Sequence, residues 1–319
     1  MAKRRMGLML CLLCLAISLL PRPVAAVSTA EATAPIDTKK TCTLTLTYGC
    51  DGQAVSGMYV SLYRVADVSE DYQYTLTSSF ASSGLILNGI QTQDEWNVIR
   101  STLESHVYAN SIRPTLTSVT STEGQVNFEL LTPGLYLAMV LRPAESGINC
   151  IFDTALIALP GLDTNGQWQY RVSVTAKSEL LPPIQPDETI ELKVLKLWKG
   201  DRGRSDRPKN VEVEIFRDGV SYQLVTLSQE NQWSYSWTAE KDGATWTVAE
   251  PNVPKGYTVT VSKRGTAFVL TNTRIPDPSK PTEQPTTGDT SHILLYTVLL
   301  YASGIALVLT GISRKRNDV

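Results

Sequence analysis

The sequence predicts an all-β body of two tandem β-sandwich domains, the first with an inserted helix, followed by a C-terminal transmembrane helix. Three observations carry this expectation. Thr, Ser, Val and Tyr recur in short alternating runs, the period-2 pattern of strands with one buried face. A stretch at 178–188 holding Pro182, Pro183 and Pro186 reads as a linker between two β-rich segments of domain size. Residues 292–312 give about 21 mostly apolar positions, enough to cross a bilayer at ~1.5 Å rise per residue.

Composition removes several function classes. A net charge of -2 over 319 residues argues against nucleic acid as a partner. Two histidines and no Cys/His cluster leave little material for a metal site, a cofactor or a histidine-centred catalytic group. No nucleophile–base pairing is evident, so the chain is not read as an enzyme.

The ends are informative. Residues 1–26 read as a signal peptide: Lys3, Arg4 and Arg5 lead an apolar run over 6–20, Pro21 and Pro23 stop it, and Val24-Ala25-Ala26 offers cleavage after Ala26. At the other end, 275–290 is a proline-rich segment containing Gln284-Pro285-Thr286-Thr287-Gly288. The apolar span 292–312 follows, and then a cytoplasmic tail, 313–319, with Arg314, Lys315 and Arg316. The helix halts the chain in the membrane, the basic tail prevents outward release, and the extended segment lies within reach of a membrane enzyme.

This order of parts resembles the cell-wall sorting signal of Gram-positive surface proteins, whose core is usually LPxTG. Pro285, Thr287 and Gly288 match, and Gln284 stands in place of leucine. The resemblance implies a sortase partner whose cysteine attacks the Thr287–Gly288 bond, leaving Thr287 as the linkage point. It also implies a secreted protein, held briefly in the membrane and then joined to peptidoglycan of the cell wall.

The second β segment, 189–274, carries an unusual pattern. Alternation puts Ile190, Leu192, Val194, Lys196 and Trp198 on one strand face, Trp246, Val248 and Glu250 on another, and Phe268, Leu270 and Asn272 on a third. Three polar residues of complementary chemistry thus fall in core positions, where an unpaired charge is costly. Desolvation lowers a lysine's pKa toward a nucleophilic amine and raises a glutamate's toward a neutral acid. Such an amine can attack the Asn272 amide while Glu250 moves the protons, giving an autocatalytic isopeptide bond. The alternative is a buried polar triad satisfied without a bond.

Lys196-Leu197-Trp198, Arg207-Pro208-Lys209-Asn210-Val211, Val225-Thr226-Leu227-Ser228, Trp233-Ser234-Tyr235, Thr247-Val248-Ala249-Glu250, Pro254-Lys255-Gly256-Tyr257 and Leu270-Thr271-Asn272-Thr273 together resemble a Cna B-type domain. That resemblance implies an immunoglobulin- or prealbumin-like sandwich with an internal isopeptide at the same three positions.

The first segment, 40–177, is looser. Residues 55–65 and 124–140, with Pro133-Gly134-Leu135-Tyr136-Leu137, resemble the prealbumin-like domains of SpaA-type pilins. Between them 93–109 has helical character: Asp94 and Glu95 lead, and Trp96, Ile99, Leu103 and Val107 recur at spacings of three and four, a stripe for packing on the sandwich. Lys40 shares the register of Leu44 and Leu46, yet the last strand offers no asparagine partner, so no second triad is evident.

The run from Trp168 to Lys177 has the spacing of the pilin motif WxxxVxVYPK. Trp168, Val172, Val174 and Lys177 match, while Thr175 and Ala176 replace tyrosine and proline. Trp168, Tyr170, Val172 and Val174 share a face, which turns Lys177 to the solvent. The resemblance implies that Lys177 is a polymerisation lysine. Cys42, Cys50 and Cys150 remain after secretion, enough for one disulfide and one free thiol, with Cys50–Cys150 as the expected pair.

The functional expectation is a wall-anchored pilus subunit, linked at Thr287, with other pilin subunits, sortase and peptidoglycan as partners and room for a host surface ligand. The alternative is a monomeric wall-anchored adhesin or basal minor pilin, which needs Thr287 but not Lys177.

Overall fold

The computed structural model describes residues 34–141, 150–181, 188–201 and 207–276. The expected signal peptide, the sorting motif with Thr287 and Gly288, the 292–312 span and the 313–319 tail lie outside the described residues, as does most of the 178–188 stretch. Among the described residues no helix is long and apolar enough to cross a membrane.

The protein is mostly β. The N-terminal half runs β1 (Cys42–Thr47), β2 (Gly49–Cys50), β3 (Gln53–Ala54), β4 (Tyr59–Val68), β5 (Tyr74–Leu76), α1 (Ser78–Ala81), α2 (Gln93–Ala109), β6 (Leu116–Val119), β7 (Gln125–Leu131), β8 (Gly134–Leu141), β9 (Cys150–Phe152), β10 (Ala155–Leu159), β11 (Gly161–Leu162), β12 (Trp168–Gln169), β13 (Arg171–Thr175) and β14 (Ser178–Leu180). One sheet has the order β13-β1-β7 and the other β10-β8-β4-β5, with β6 added to β4. Cys42, Leu44 and Leu46 alternate inward along β1 and meet Val60, Leu62 and Tyr136 of the facing sheet. Period-2 burial against a second sheet is what the alternating sequence requires.

The β10-β8-β4-β5 sheet is buried on both faces. Its far side packs under α2, where Ile99, Leu103 and Val107 meet Val65, Leu137 and Met139. That explains why β8 reads as an almost unbroken apolar run instead of alternating. The helix spans the predicted 93–109. Thr92 closes its start as a capping box: its hydroxyl accepts from the Glu95 amide at 3.2 Å, and the Glu95 carboxylate accepts from the Thr92 amide at 2.9 Å.

Two expectations need correction. Lys40 lies outside any strand, because β1 starts at Cys42; it is exposed, with its amine 4.2 Å from the Tyr170 ring centroid. The first residues of the 178–188 stretch are not linker. Ser178–Leu180 form β14, paired antiparallel with β9, because the chain finds unpaired backbone groups on β9 before it reaches Pro182.

The C-terminal half runs β15 (Thr189–Lys199), β16 (Asn210–Arg217), β17 (Val220–Ser228), β18 (Ser234–Glu240), β19 (Trp246–Ala249), β20 (Tyr257–Arg264) and β21 (Ala267–Arg274). Its sheets are β18-β15-β21-β20 and β17-β16-β19, closed over Val194, Val213, Ile215, Leu227, Val248 and Leu270. The first and last strands of this half, β15 and β21, lie side by side and parallel. The described residues up to Arg274 form one compact unit, and α2 packs against β19 and β20 as well as on its own half.

Cys50 and Cys150 are disulfide-bonded across 100 residues of sequence, and Cys42 is a buried free thiol. Closing so long a loop restricts the unfolded chain strongly. Replacing Cys50 and Cys150 by alanine, or reducing them, is expected to lower stability by about 2–5 kcal/mol. Urea unfolding with and without reductant checks this.

Candidate functional site

The alternation of β15 is retained through its centre. Leu192, Val194 and Lys196 are buried, while Glu191, Lys193 and Leu197 between and beyond them are exposed or partly so. On β21, Phe268, Leu270 and Asn272 point inward. The parallel register sets Lys196 opposite Leu270 and Trp198 opposite Asn272, so Lys196 and Asn272 are diagonal neighbours on one sheet face. Glu250 comes from the facing sheet, in the residue after β19 ends. All three are buried, Asn272 completely.

Glu250 joins the other two. The Lys196 amine donates to Glu250 Oε2 as an ion pair with both side chains fully enclosed. The Asn272 Nδ2 donates to Glu250 Oε1 at 2.9 Å. One carboxylate thus holds an amine on one oxygen and an amide nitrogen on the other. Asn272 Oδ1 is enclosed with no hydrogen-bond partner among the described residues. A buried unpaired amide oxygen is uncommon and costly.

Burial pushes the Lys196 amine down from its ordinary 10.5 to about 8, against the opposing pull of Glu250. Near neutral pH a usable fraction of the amine is therefore unprotonated. The surroundings are aromatic: the Trp198 ring centroid lies 5.1 Å from the amine, and Trp198 meets Trp233 and Tyr257 edge-on, each at 5.2 Å. The Arg207 guanidinium stacks 5.2 Å from the same indole and is held by Asp201 at 2.6 and 2.7 Å.

Lys177 lies between β13 and β14 with its side chain exposed; its carbonyl accepts from the Asp153 amide at 3.0 Å. A groove lined by Tyr72, Trp96 and Ala176 opens beside it. Tyr170, Val172 and Val174 pack on the core between the two N-terminal sheets, but Trp168 does not join them. It packs on the α2 side and donates its indole N–H to the Ala34 carbonyl at 2.7 Å. The expected four-residue face is split because Trp168 sits on β12, which pairs with β11, whereas β13 pairs with β1. Thr287 and Gly288 lie outside the described residues. Among the described residues no His, Cys, Asp and Glu cluster could hold a metal ion.

Sequence reasoning missed two buried hydroxyls of α2, Thr102 and Ser105, which bond to backbone of the C-terminal half. Their spacing from Val98, four and then three residues, forms a second helical stripe that polar side chains conceal.

Residues 192–273 match the model of the Cna protein B-type domain. The C-terminal half is a Cna B-type domain. No curated protein matches the chain. Among solved structures, a single B repeat unit of the Staphylococcus aureus collagen-binding surface protein is similar at 15% identity, covering 74% of this chain and 100% of that one, with a TM-score of 0.25. The Corynebacterium diphtheriae major pilin SpaA gives 17% identity, 76% and 64% coverage and a TM-score of 0.27. The fimbrial protein FimP of Actinomyces oris gives 17% identity, 77% and 63% coverage and a TM-score of 0.30. The chain spans less than two thirds of the length of either pilin.

The lysine shift has a consequence for stability, seen most simply with Asn272 replaced. In Asn272→Ala, the folded state releases the Lys196 proton near pH 8 while the unfolded chain keeps it to about 10.5. The unfolded state therefore binds more protons in that window, and stability rises with pH across it. The gain expected is up to about 3 kcal/mol, the free-energy equivalent of that pKa difference. Urea unfolding from pH 7 to 10.5, compared with the Lys196→Met/Asn272→Ala double variant, should show the rise only where the lysine is present.

Proposed function

We propose that this chain is a subunit of a surface pilus, fixed covalently to the cell wall, whose Cna B-type domain is locked by a Lys196–Asn272 isopeptide bond. The observation that carries the reading is the single Glu250 carboxylate holding both the Lys196 amine and the Asn272 amide inside the core. The unprotonated Nζ attacks Asn272 Cγ. A Nζ–Cγ bond forms and the Cγ–Nδ2 bond breaks, while Glu250 takes a proton from the amine on one oxygen and delivers one to the departing nitrogen. Ammonia leaves. No oxidant or cofactor enters the balance.

Two sequence features extend the reading to assembly. The order of sorting motif, apolar span and basic tail supports sortase cleavage between Thr287 and Gly288, with Thr287 then joined to an amine. The exposed side chain of Lys177, between two strands at the edge of the N-terminal half, supports its use as that amine on the next subunit. Wall attachment would use an amine of the peptidoglycan precursor instead. On this reading the protein is secreted, passes through a membrane-held stage, and has sortase, other pilin subunits and peptidoglycan as partners.

Intact mass tests the bond: wild type is expected to be lighter than its sequence by roughly 17 Da, the mass of the ammonia lost when an activated amine displaces an amide. Glu250→Ala should keep its full mass. Equal deficits in the two, or none in either, would remove the isopeptide reading.

Assembly is tested by immunoblot of wall extracts. Wild type should give a high-molecular-weight ladder, Lys177→Ala only wall-bound monomer, and Thr287→Ala protein retained in the membrane fraction. A ladder that persists in Lys177→Ala assigns the role to another lysine. The absence of a ladder in wild type favours the monomeric adhesin.

A further inference from the structure

Helix α2 belongs by sequence to the N-terminal half, yet two of its buried hydroxyls hold the backbone of the Cna B-type domain. Ser105 Oγ donates to the Val248 carbonyl at 2.9 Å. Thr102 Oγ1 accepts from the Val261 amide at 2.9 Å and donates to the Val98 carbonyl of its own helix at 2.7 Å. Further along α2, Tyr108 stacks on Phe216 of β16 with centroids 5.4 Å apart.

Both bonds land on strands at the margins of their sheets. β19 is the last strand of β17-β16-β19, and β20 is the last of β18-β15-β21-β20. One helix therefore ties the open edge of each sheet to the other. Covering an edge is a familiar way of protecting it, but the landing points add something more specific. Val248 is two residues before Glu250. Val261 pairs with Leu270, which is two residues before Asn272 and directly opposite Lys196. The ties thus attach to the strand that presents the carboxylate and to the neighbour of the strand that presents the amide.

The reactive groups come from both sheets: Lys196 and Asn272 from one, Glu250 from the other. Their alignment depends on how the sheets slide over each other, and a misplacement of about 1 Å can cost on the order of a hundredfold in rate. We infer that Ser105 and Thr102 are positioning residues, making α2 a clamp that sets Glu250 against Lys196 and Asn272. Isopeptide formation in the Cna B-type domain then depends on docking of the N-terminal half. The bond closes on a molecule whose two halves have already met. This inference rests on the isopeptide reading above.

The test follows bond formation in the mature chain, residues 27–319, made by cell-free synthesis and sampled over time for intact mass. Ser105→Ala is expected to slow ammonia loss about tenfold or more, the scale of a lost alignment. Ser105→Thr, which keeps the hydroxyl, should restore a rate near wild type. Ser105→Ala as fast as wild type overturns the inference. So does Ser105→Thr as slow as Ser105→Ala, since packing and not the hydrogen bond would then be responsible. If Ser105→Ala fails to fold, Thr102→Val against Thr102→Ser is read by the same criteria. Wild type that never loses mass refutes the isopeptide reading itself, and is distinguishable because no variant comparison is then needed.

Discussion

The Glu250 carboxylate, shared between an amine and an amide in a buried core, is the constraint around which the C-terminal half is arranged. A charged pair taken fully out of water is stable only if its geometry is good and its remaining bonding capacity is used. Here one oxygen serves Lys196 and the other Asn272, so the pair and the amide depend on each other. Removing one partner leaves the others exposed to the full desolvation cost. The two sheets are thereby fixed in relation to each other at the level of Glu250, and the aromatic groups around Trp198 sit beside the amine whose proton affinity burial has weakened.

The site is legible in the sequence because β-strands obey a rigid rule. Side chains alternate, so a lysine between Val194 and Trp198 and an asparagine after Phe268 and Leu270 can be assigned to the core without a structure. The limits of helix α2 are legible for a similar reason: a 3.6-residue stripe beginning at Trp96 and acidic residues in the first turn define them well. Two other features are not legible. Trp168 shares parity with Tyr170 and Val172, but parity has meaning only within one strand, and the chain changes sheets between them. Ser178–Leu180 precede prolines and carry no apolar alternation, so nothing local announces that β9 recruits them.

The hydroxyls of α2 were hidden for a different reason. A helix that packs on one sheet shows one apolar stripe; a helix that also bonds to backbone on a second surface needs donors and acceptors there. Thr102 and Ser105 are ordinary surface residues by composition, and their burial exists only because the C-terminal half covers them. Tertiary context, not propensity, decides their role.

The parallel pairing of β15 with β21 also has a mechanical side. The chain enters the Cna B-type domain at the start of β15 and leaves it at the end of β21, so a pull on the two ends loads the pair in shear along its length. All the paired positions from Lys193–Ala267 to Lys199–Thr273 then resist together, whereas strands peeled from one end would yield one contact at a time. If Lys196 is bonded to Asn272 as proposed, tension would cross between the strands at that link. The backbone from Leu197 to Thr271, which holds most of the domain's core, would then lie outside the load path. A filament of such units would transmit force through short, straight lengths of chain and leave the folded sandwich slack.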